Sequence, residues 1–271
     1  MKAVFPDLSA VAAIMRDVAD SELIPRFNRL ASGEVWKKDS GGTVTVADMA
    51  SERKLVAALT ELVPGSVALG EEDADANPAV FERLREDAPV WILDPLDGTA
   101  NFAEGSSRFA MIVAYFHRGS VRAGWILEPM TGRLAMAREG AGATDGGRAS
   151  LRTASTVPLA ESSGSLGTRL RRNGDLIARF GEVTNLHCCG IEYIALARGE
   201  IHFAHYRRLK PWDHAAGDLI VREAGGHAAG LDSETPYMPA EPERNGLLLA
   251  CDRTSWDRVA TVLRPAVAAL G

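Results

Sequence analysis

One stretch limits the fold more than any other: Trp91-Ile92-Leu93-Asp94-Pro95-Leu96-Asp97-Gly98-Thr99, an apolar run that ends in two carboxylates three residues apart. A continuous apolar run bounded by turn residues reads as a buried strand. Pro95 fixes its own φ and so narrows the turn. If a helix opens at Gly98 and Thr99, their backbone N–H groups face an anion. Asp94, Asp97 and the Leu96 carbonyl are hard oxygen donors of the kind magnesium prefers.

The segments around this strand alternate. Leu8, Val11, Ala12, Met15, Val18 and Ala19 recur at helical spacing, which predicts a helix to about Leu30 with a kink at Pro25. A second helix is expected from about Asp48 to Val63, stopped by Pro64-Gly65. The apolar run Ser66–Gly70 ends in Glu71-Glu72-Asp73 and Pro89–Leu93 ends in Asp94, so both acidic groups fall at expected strand C-termini. Open α/β sheets place ligands there. Phe109–Phe116, Val121–Leu127 and Arg133–Ala137 read as an antiparallel meander.

Past Gly146-Gly147, strands at 164–167, 183–188, 201–205 and 247–250 alternate with helices from about Asp175, up to Arg198, over Asp213–Ala224 and from Thr254. Thr254 and Asp257 have the spacing of a capping box. The glycine pair sets the expected division. Residues 1–147 would form an N-terminal α+β lobe with the metal-binding motifs, and 148–271 a C-terminal α/β lobe that completes the active site, the two making one unit.

Composition excludes several classes. Acidic residues interrupt the first twenty positions, and no run of about 18 uncharged apolar residues occurs, so neither a leader nor a membrane span is expected. Of the three cysteines, Cys188 and Cys189 are adjacent and Cys251 stands alone, which spells neither a disulfide framework nor a zinc site and fits a reducing cytoplasm. The net charge of −6 has its signs interspersed, which gives no footprint for nucleic acid or an anionic membrane. An anionic substrate would need help from bound cations.

Taken singly, the acidic motifs are ordinary. Glu71-Glu72-Asp73 reads as a solvated loop, and Asp48, Asp97 and Asp213 each read as a helix N-cap. Together, Glu71, Asp94, Asp97 and Asp213 stand at junctions between strand, turn and helix, and four clustered carboxylates repel unless cations neutralise them. Two metal ions would do so, and would clamp the attacking and leaving oxygens of an in-line phosphoryl displacement.

In chain order, Thr45-Val46-Ala47-Asp48 with Glu52, Gly70-Glu71-Glu72, Asp94-Pro95-Leu96-Asp97-Gly98-Thr99 with Asn101-Phe102, Gly140–Ala143, Pro211-Trp212-Asp213 with Ala215-Ala216-Gly217, and Glu223-Ala224-Gly225-Gly226 resemble the inositol monophosphatase family of lithium-sensitive, metal-dependent phosphatases. The resemblance implies an α+β fold of layered α-β-α-β-α type, as in the inositol monophosphatases and fructose-1,6-bisphosphatases, and a homodimer. It implies Mg2+ as cofactor, in two or three ions. Glu71, Asp94 and the Leu96 carbonyl would hold one ion; Asp94, Asp97 and Asp213 a second; and a weaker third would lie near Glu71. Gly98 and Thr99 would receive the phosphate, and Thr99 with Asp48 would help deprotonate the attacking water. Lys37 or Lys38 would approach the site, because the family often has a lysine there.

The resemblance also implies hydrolysis of a small phosphorylated substrate, and here the chain departs from the pattern. Where enzymes that act on inositol phosphates carry a hydroxyl-binding Glu seven residues before the Asp of Trp-Asp, this chain has Tyr206. His187–Glu192, including Cys189, replaces a Gly-Ser-Ala-type loop that borders the substrate, and Glu104 and Ser107 stand where His and Pro are usual. Arg207 and Arg208 are candidates to meet a second anionic group, with Tyr206 or His205 nearby. A phosphorylated polyol, sugar or amino alcohol is the expected substrate, with histidinol phosphatase, sugar bisphosphatase and nucleotide 3′-phosphatase as relatives of the same chemistry. An adenine would want an aromatic cluster, and at 6% aromatic content none is evident. A regulatory binding protein on the same fold is the alternative of a different class; it would show by loss of a metal ligand, and all four carboxylates are present.

Overall fold

A computed structural model gives the fold and describes residues 5–38, 41–241 and 246–270. The first helix, α1 (Leu8–Val18), is capped by Asp7, whose carboxylate accepts from Ser9 N and Ala10 N. It does not run on to Leu30. A π-turn over Ala19–Leu23 ends it, and the chain leaves helical geometry in turns after Pro25, which has no N–H to continue the ladder. A short hairpin, β1 (Val35–Lys37) with β2 (Thr43–Thr45), then leads into α2 (Val46–Leu62).

Strand β3 (Val67–Gly70) is followed by α3 (Glu71–Ala76), and β3 lies parallel to β4 (Val90–Asp97), which ends in the short α4 (Thr99–Ala103). An antiparallel run follows: β5 (Ala110–His117), β6 (Ser120–Glu128), β7 (Arg133–Arg138), β8 (Ala143–Asp145) and β9 (Ala149–Ser150). These complete a seven-stranded sheet in sequence order, β3 to β9. The apolar pattern alone ends β4 at Asp94; the strand runs on to Asp97 through a register shift that accommodates Pro95.

The later segments are β10 (Ser163–Leu166), α5 (Thr168–Arg171), α6 (Gly174–Ile177), β11 (Glu182–Thr184), α7 (Cys189–Ala197), β12 (Phe203–Tyr206), α8 (Pro211–Glu223), β13 (His227–Gly230), β14 (Leu247–Ala250) and α9 (Arg253–Ala268). Their strands form a second sheet in the order β11-β10-β12-β14-β13. The strand expected over 183–188 pairs only through Thr184; beyond it Glu192 accepts from Leu186 N and Asn185 from His187 N, so the backbone turns instead. Helix α9 is capped by Asp252, which accepts from Ser255 N, and not by Thr254; Asp257 instead pairs with Arg253.

Burial explains the layering. Both faces of β4, β5 and β6 are apolar because both are covered. On one face Trp91, Leu93, Val113, Tyr115 and Trp125 pack with Val11 and Met15 of α1 and Leu55 and Leu59 of α2. On the other, Ile92, Ile112, Ala114 and Ile126 meet Tyr193, Ile194, Ala216 and Ile220 of α7 and α8. Gly124 shows how close that contact is: a Cβ there would stand 2.9 Å from Ala216 Cα. The second sheet covers the far side of α7 and α8 with Leu247 and Leu249, and turns Phe203, Leu248 and Ala250 toward Trp256, Val259 and Leu263 of α9. The order helix, sheet, helix, sheet, helix is the α-β-α-β-α sandwich of an α+β protein. No described helix is long and apolar enough to cross a membrane.

Candidate active site

The elements bring the candidate residues to the end of β3 and β4. Asp48 stands in the first turn of α2, Glu71 opens α3, Asp94 and Asp97 end β4, Gly98 and Thr99 follow, and Asp213 stands in the first turn of α8. None of Asp48, Asp97 or Asp213 is an N-cap; Thr45, Gly98 and Lys210 hold those positions in α2, α4 and α8. Asp48 instead closes a capping box, its Oδ2 accepting from Thr45 N at 2.8 Å and Thr45 Oγ1 at 2.6 Å. Its other oxygen, Oδ1, lies 2.9 Å from Thr99 Oγ1, which is also 2.9 Å from the Leu96 carbonyl. The single Thr99 proton serves one of these acceptors at a time.

Gly98 adopts φ 85°, and a Cβ there would stand 2.9 Å from the Arg108 carbonyl, so only glycine fits the turn that presents Thr99. Asn101 fixes the loop opposite. Its Nδ2 lies 2.7 Å from the Arg108 carbonyl, 2.9 Å from that of Leu186 and 3.3 Å from that of His187. Glu52 holds the start of α3, accepting from Glu72 N and Asp73 N at 2.9 Å each. The sequence motif contained both residues; their positioning roles come from contacts 20 and 85 residues away in the chain, which no local pattern displays.

Asp94 is buried, Glu71, Asp97 and Asp213 are half-buried, and the carboxylates feel one another. Asp94 is pushed well above the usual carboxylate range by burial and then by the charges of Glu71, Asp97 and Asp213. Asp213 is raised by burial, then by Asp97 and Glu71. Burial pushes Asp97 up to about 6, against the donors Gly190 N at 2.6 Å and Cys188 Sγ at 3.0 Å. Burial likewise pushes Asp48 up to about 6. Lys38, not Lys37, answers part of this charge: its Nζ lies 2.9 Å from Glu71 Oε1 and 2.8 Å from Glu72 Oε1. Burial lowers the Lys38 pKa, but the Glu71 and Glu72 carboxylates overcome this and hold it above its ordinary value. Lys37 turns to Thr43 Oγ1.

Among the described residues, no three His, Cys, Asp or Glu side chains are gathered tightly enough to close on a metal ion. The donor set nonetheless suits magnesium in kind. Its atoms are hard oxygens, and burial with mutual repulsion leaves them in want of positive charge.

The sequence model of the inositol monophosphatase family matches residues 5–263. The chain belongs to the inositol monophosphatase family. A Thermotoga maritima relative named fructose-1,6-bisphosphatase/inositol-1-monophosphatase is 32% identical over 187 residues, covering 68% of this chain and 69% of that one. The Nus factor SuhB of Pseudomonas aeruginosa is 28% identical over 258 residues, covering 90% and 91%. The solved structure of a Thermotoga maritima IMPase superposes with a TM-score of 0.82 at 26% identity, covering 96% of this chain and 97% of that one.

Beside the carboxylates, this inositol monophosphatase family member has a cavity of about 730 Å3. Asp97, Asp213, Cys189, Tyr206, Arg207 and Arg208 all line it. Cys189 Sγ faces the Asp213 carbonyl at 3.3 Å. The Tyr206 hydroxyl donates to Glu192 Oε2 at 2.9 Å, and its ring packs on His214 at 4.9 Å between centroids. Glu192 of α7 brings a carboxylate to the cavity lining beside Tyr206. An aromatic cluster is assembled in the fold, but it is buried except at Tyr206, and of its rings only Tyr206 and His214 line the cavity. Tyr193, Tyr206, His214 and Tyr237 come together from four separate segments.

Proposed function

We propose that this chain is a magnesium-dependent phosphatase of a small phosphomonoester, a phosphorylated polyol, sugar or amino alcohol. The observation that carries the reading is the Thr99–Asp48 contact at 2.9 Å together with the mutually repelling carboxylates of Asp94, Asp97 and Asp213. Glu71, Asp94, Asp97, Asp213 and the Leu96 carbonyl would hold two or three ions. Magnesium bound there would acidify a water and draw charge from the phosphate oxygens.

The chain's own residues handle the proton. Thr99 Oγ1 takes it from the attacking water while passing its own to Asp48 Oδ1. With its pKa raised to about 6 by burial, Asp48 is a base matched to neutral pH. The backbone N–H groups of Gly98 and Thr99 would meet the phosphate, because the first N–H groups of a helix have no partner within it.

Phosphate release from inositol 1-phosphate, histidinol phosphate, fructose 1,6-bisphosphate, 3′-phosphoadenosine 5′-phosphate and glycerol 2-phosphate, with and without magnesium and with added lithium, tests this reading. Magnesium-dependent turnover of at least one ester is expected. A second reading, a regulatory binding protein, has the SuhB relative in its favour. Retention of all four carboxylates favours hydrolysis, and no turnover of any ester would favour the regulatory reading.

A further inference from the structure

His187 is held in a backbone conformation that suits glycine better than histidine. Its φ is 54°, in the left-handed region where a Cβ crowds the backbone. Such strain persists only where surrounding contacts impose it, and it gathers at working sites. The contacts are specific here. His187 N donates to Asn185 Oδ1 at 2.8 Å, and its carbonyl accepts from Asn101 Nδ2 at 3.3 Å. On either side, Leu186 N donates to Glu192 Oε1 at 2.8 Å and Cys188 Sγ lies 3.0 Å from Asp97 Oδ2.

This conformation leaves the imidazole at the cavity with nothing of the protein to bind. Of the histidines that line the cavity, His205 and His214 are buried and His187 is exposed. His214 is engaged by Tyr193 OH and the Arg208 carbonyl, whereas the His187 ring has no hydrogen bond, ion pair or ring contact among the described residues. Gly98 locates it along the path of a substrate. A Cβ on Gly98 would stand 3.4 Å from the His187 carbonyl and 3.2 Å from Cys188 Cβ, so the His187 backbone abuts the turn assigned to the phosphate. The cavity beyond is the room left for the alcohol. The bridging oxygen of an ester falls between these two parts, at the junction that His187 borders.

We propose that His187 is the proton donor to the leaving alcohol. The inference rests on the phosphatase reading and adds a catalytic residue to it. As the water oxygen bonds to phosphorus, the bond from phosphorus to the bridging oxygen breaks, and its electron pair stays on that oxygen. A ring N–H of protonated His187 gives its proton there, so an alcohol departs instead of an alkoxide. The imidazole regains a proton from solvent, which receives the one that Asp48 took from the attacking water through Thr99.

The test compares the alkyl phosphate that the wild type hydrolyses fastest with its thio analogue, in which sulfur replaces the bridging oxygen. A thiolate leaves without needing a proton. His187→Asn keeps the loop, because asparagine tolerates left-handed backbone, and His187→Gly removes the strain outright. Each variant should lower turnover of the oxygen ester about 100-fold or more, the usual worth of a general acid, and that of the sulfur ester by less than about threefold. Thermal melts should show both variants folded and stabilised by magnesium as the wild type is. Equal losses on the two esters, or an oxygen ester cut at the wild-type rate, overturn the donor and leave the phosphatase reading in place. No magnesium-dependent release from any oxygen ester by the wild type removes the phosphatase reading and the donor with it.

Discussion

Replacing Asp48 with Asn should make the metal-free protein more stable and the enzyme inactive. Asp48 is 1% exposed, and its burial raises its pKa from 3.8 to about 6. The native state therefore binds more protons than the unfolded chain between these values, and wild-type stability falls as pH rises from about 4 through 6. At about 1.4 kcal/mol per pH unit, this gap corresponds to roughly 3 kcal/mol lost by neutral pH. Asn keeps the shape without the charge. Its carbonyl can accept from Thr45 N and Oγ1, and its amide can donate to Thr99 Oγ1, which then donates to the Leu96 carbonyl.

Urea unfolding in EDTA at several pH values between 4 and 8 measures the difference. The variant and wild type should coincide near pH 4 and separate by roughly 3 kcal/mol in favour of the variant above pH 7. Phosphate release by the variant should fall about 100-fold or more, the usual worth of a general base. Parallel stability curves across this pH range, or a variant less stable than wild type at pH 7, would refute the account of Asp48 as a buried charge retained for catalysis.

Other outcomes follow from the same geometry. Magnesium at about 100 times its dissociation constant should stabilise the wild type by roughly 2.7 kcal/mol, more at pH 8 than at pH 5 because protons on the raised carboxylates compete with it; Asp94→Asn or Asp213→Asn should abolish that gain in the same melts. Gly98→Ala forces a Cβ onto a backbone carbonyl at positive φ and should cost about 1–3 kcal/mol in urea unfolding. It should also lower turnover. Asn101→Ala releases the carbonyls of Leu186 and His187 and should lower turnover about tenfold while leaving stabilisation by magnesium in place, measured by kinetics beside melts.

The strands and helices of the core are readable in the sequence because their burial is continuous: Val90–Leu93 is apolar at every position since both faces are covered. The short hairpin of β1 and β2 escapes such a reading because each strand has three residues, Trp36 and Lys37 are exposed, and the apolar positions do not alternate with a buried face. The candidate ligands are readable because each stands within a few residues of a strand end or helix start. Glu192, Arg169 and Lys38 show what is not readable in the same way. Glu192 meets Tyr206 across 14 residues, Lys38 meets Glu71 across 33, and Arg169 reaches the cavity only through the pairing of β10 with β12. Sheet order places them, and no local pattern encodes it.

That pairing builds the cavity from both sheets. Glu71, Asp94, Asp97 and Thr99 are carried on the first sheet and its turns, whereas Arg169, Arg208 and Asp213 follow strands of the second. A one-residue insertion after β10 would carry Arg169 away from Arg208 and leave Asp48, Glu71, Asp94, Asp97, Thr99 and Asp213 on elements of their own. The rim of the cavity can therefore change along the β10–α5 loop while the carboxylates stay where they are, whereas a change between β12 and α8 would carry Asp213 with it.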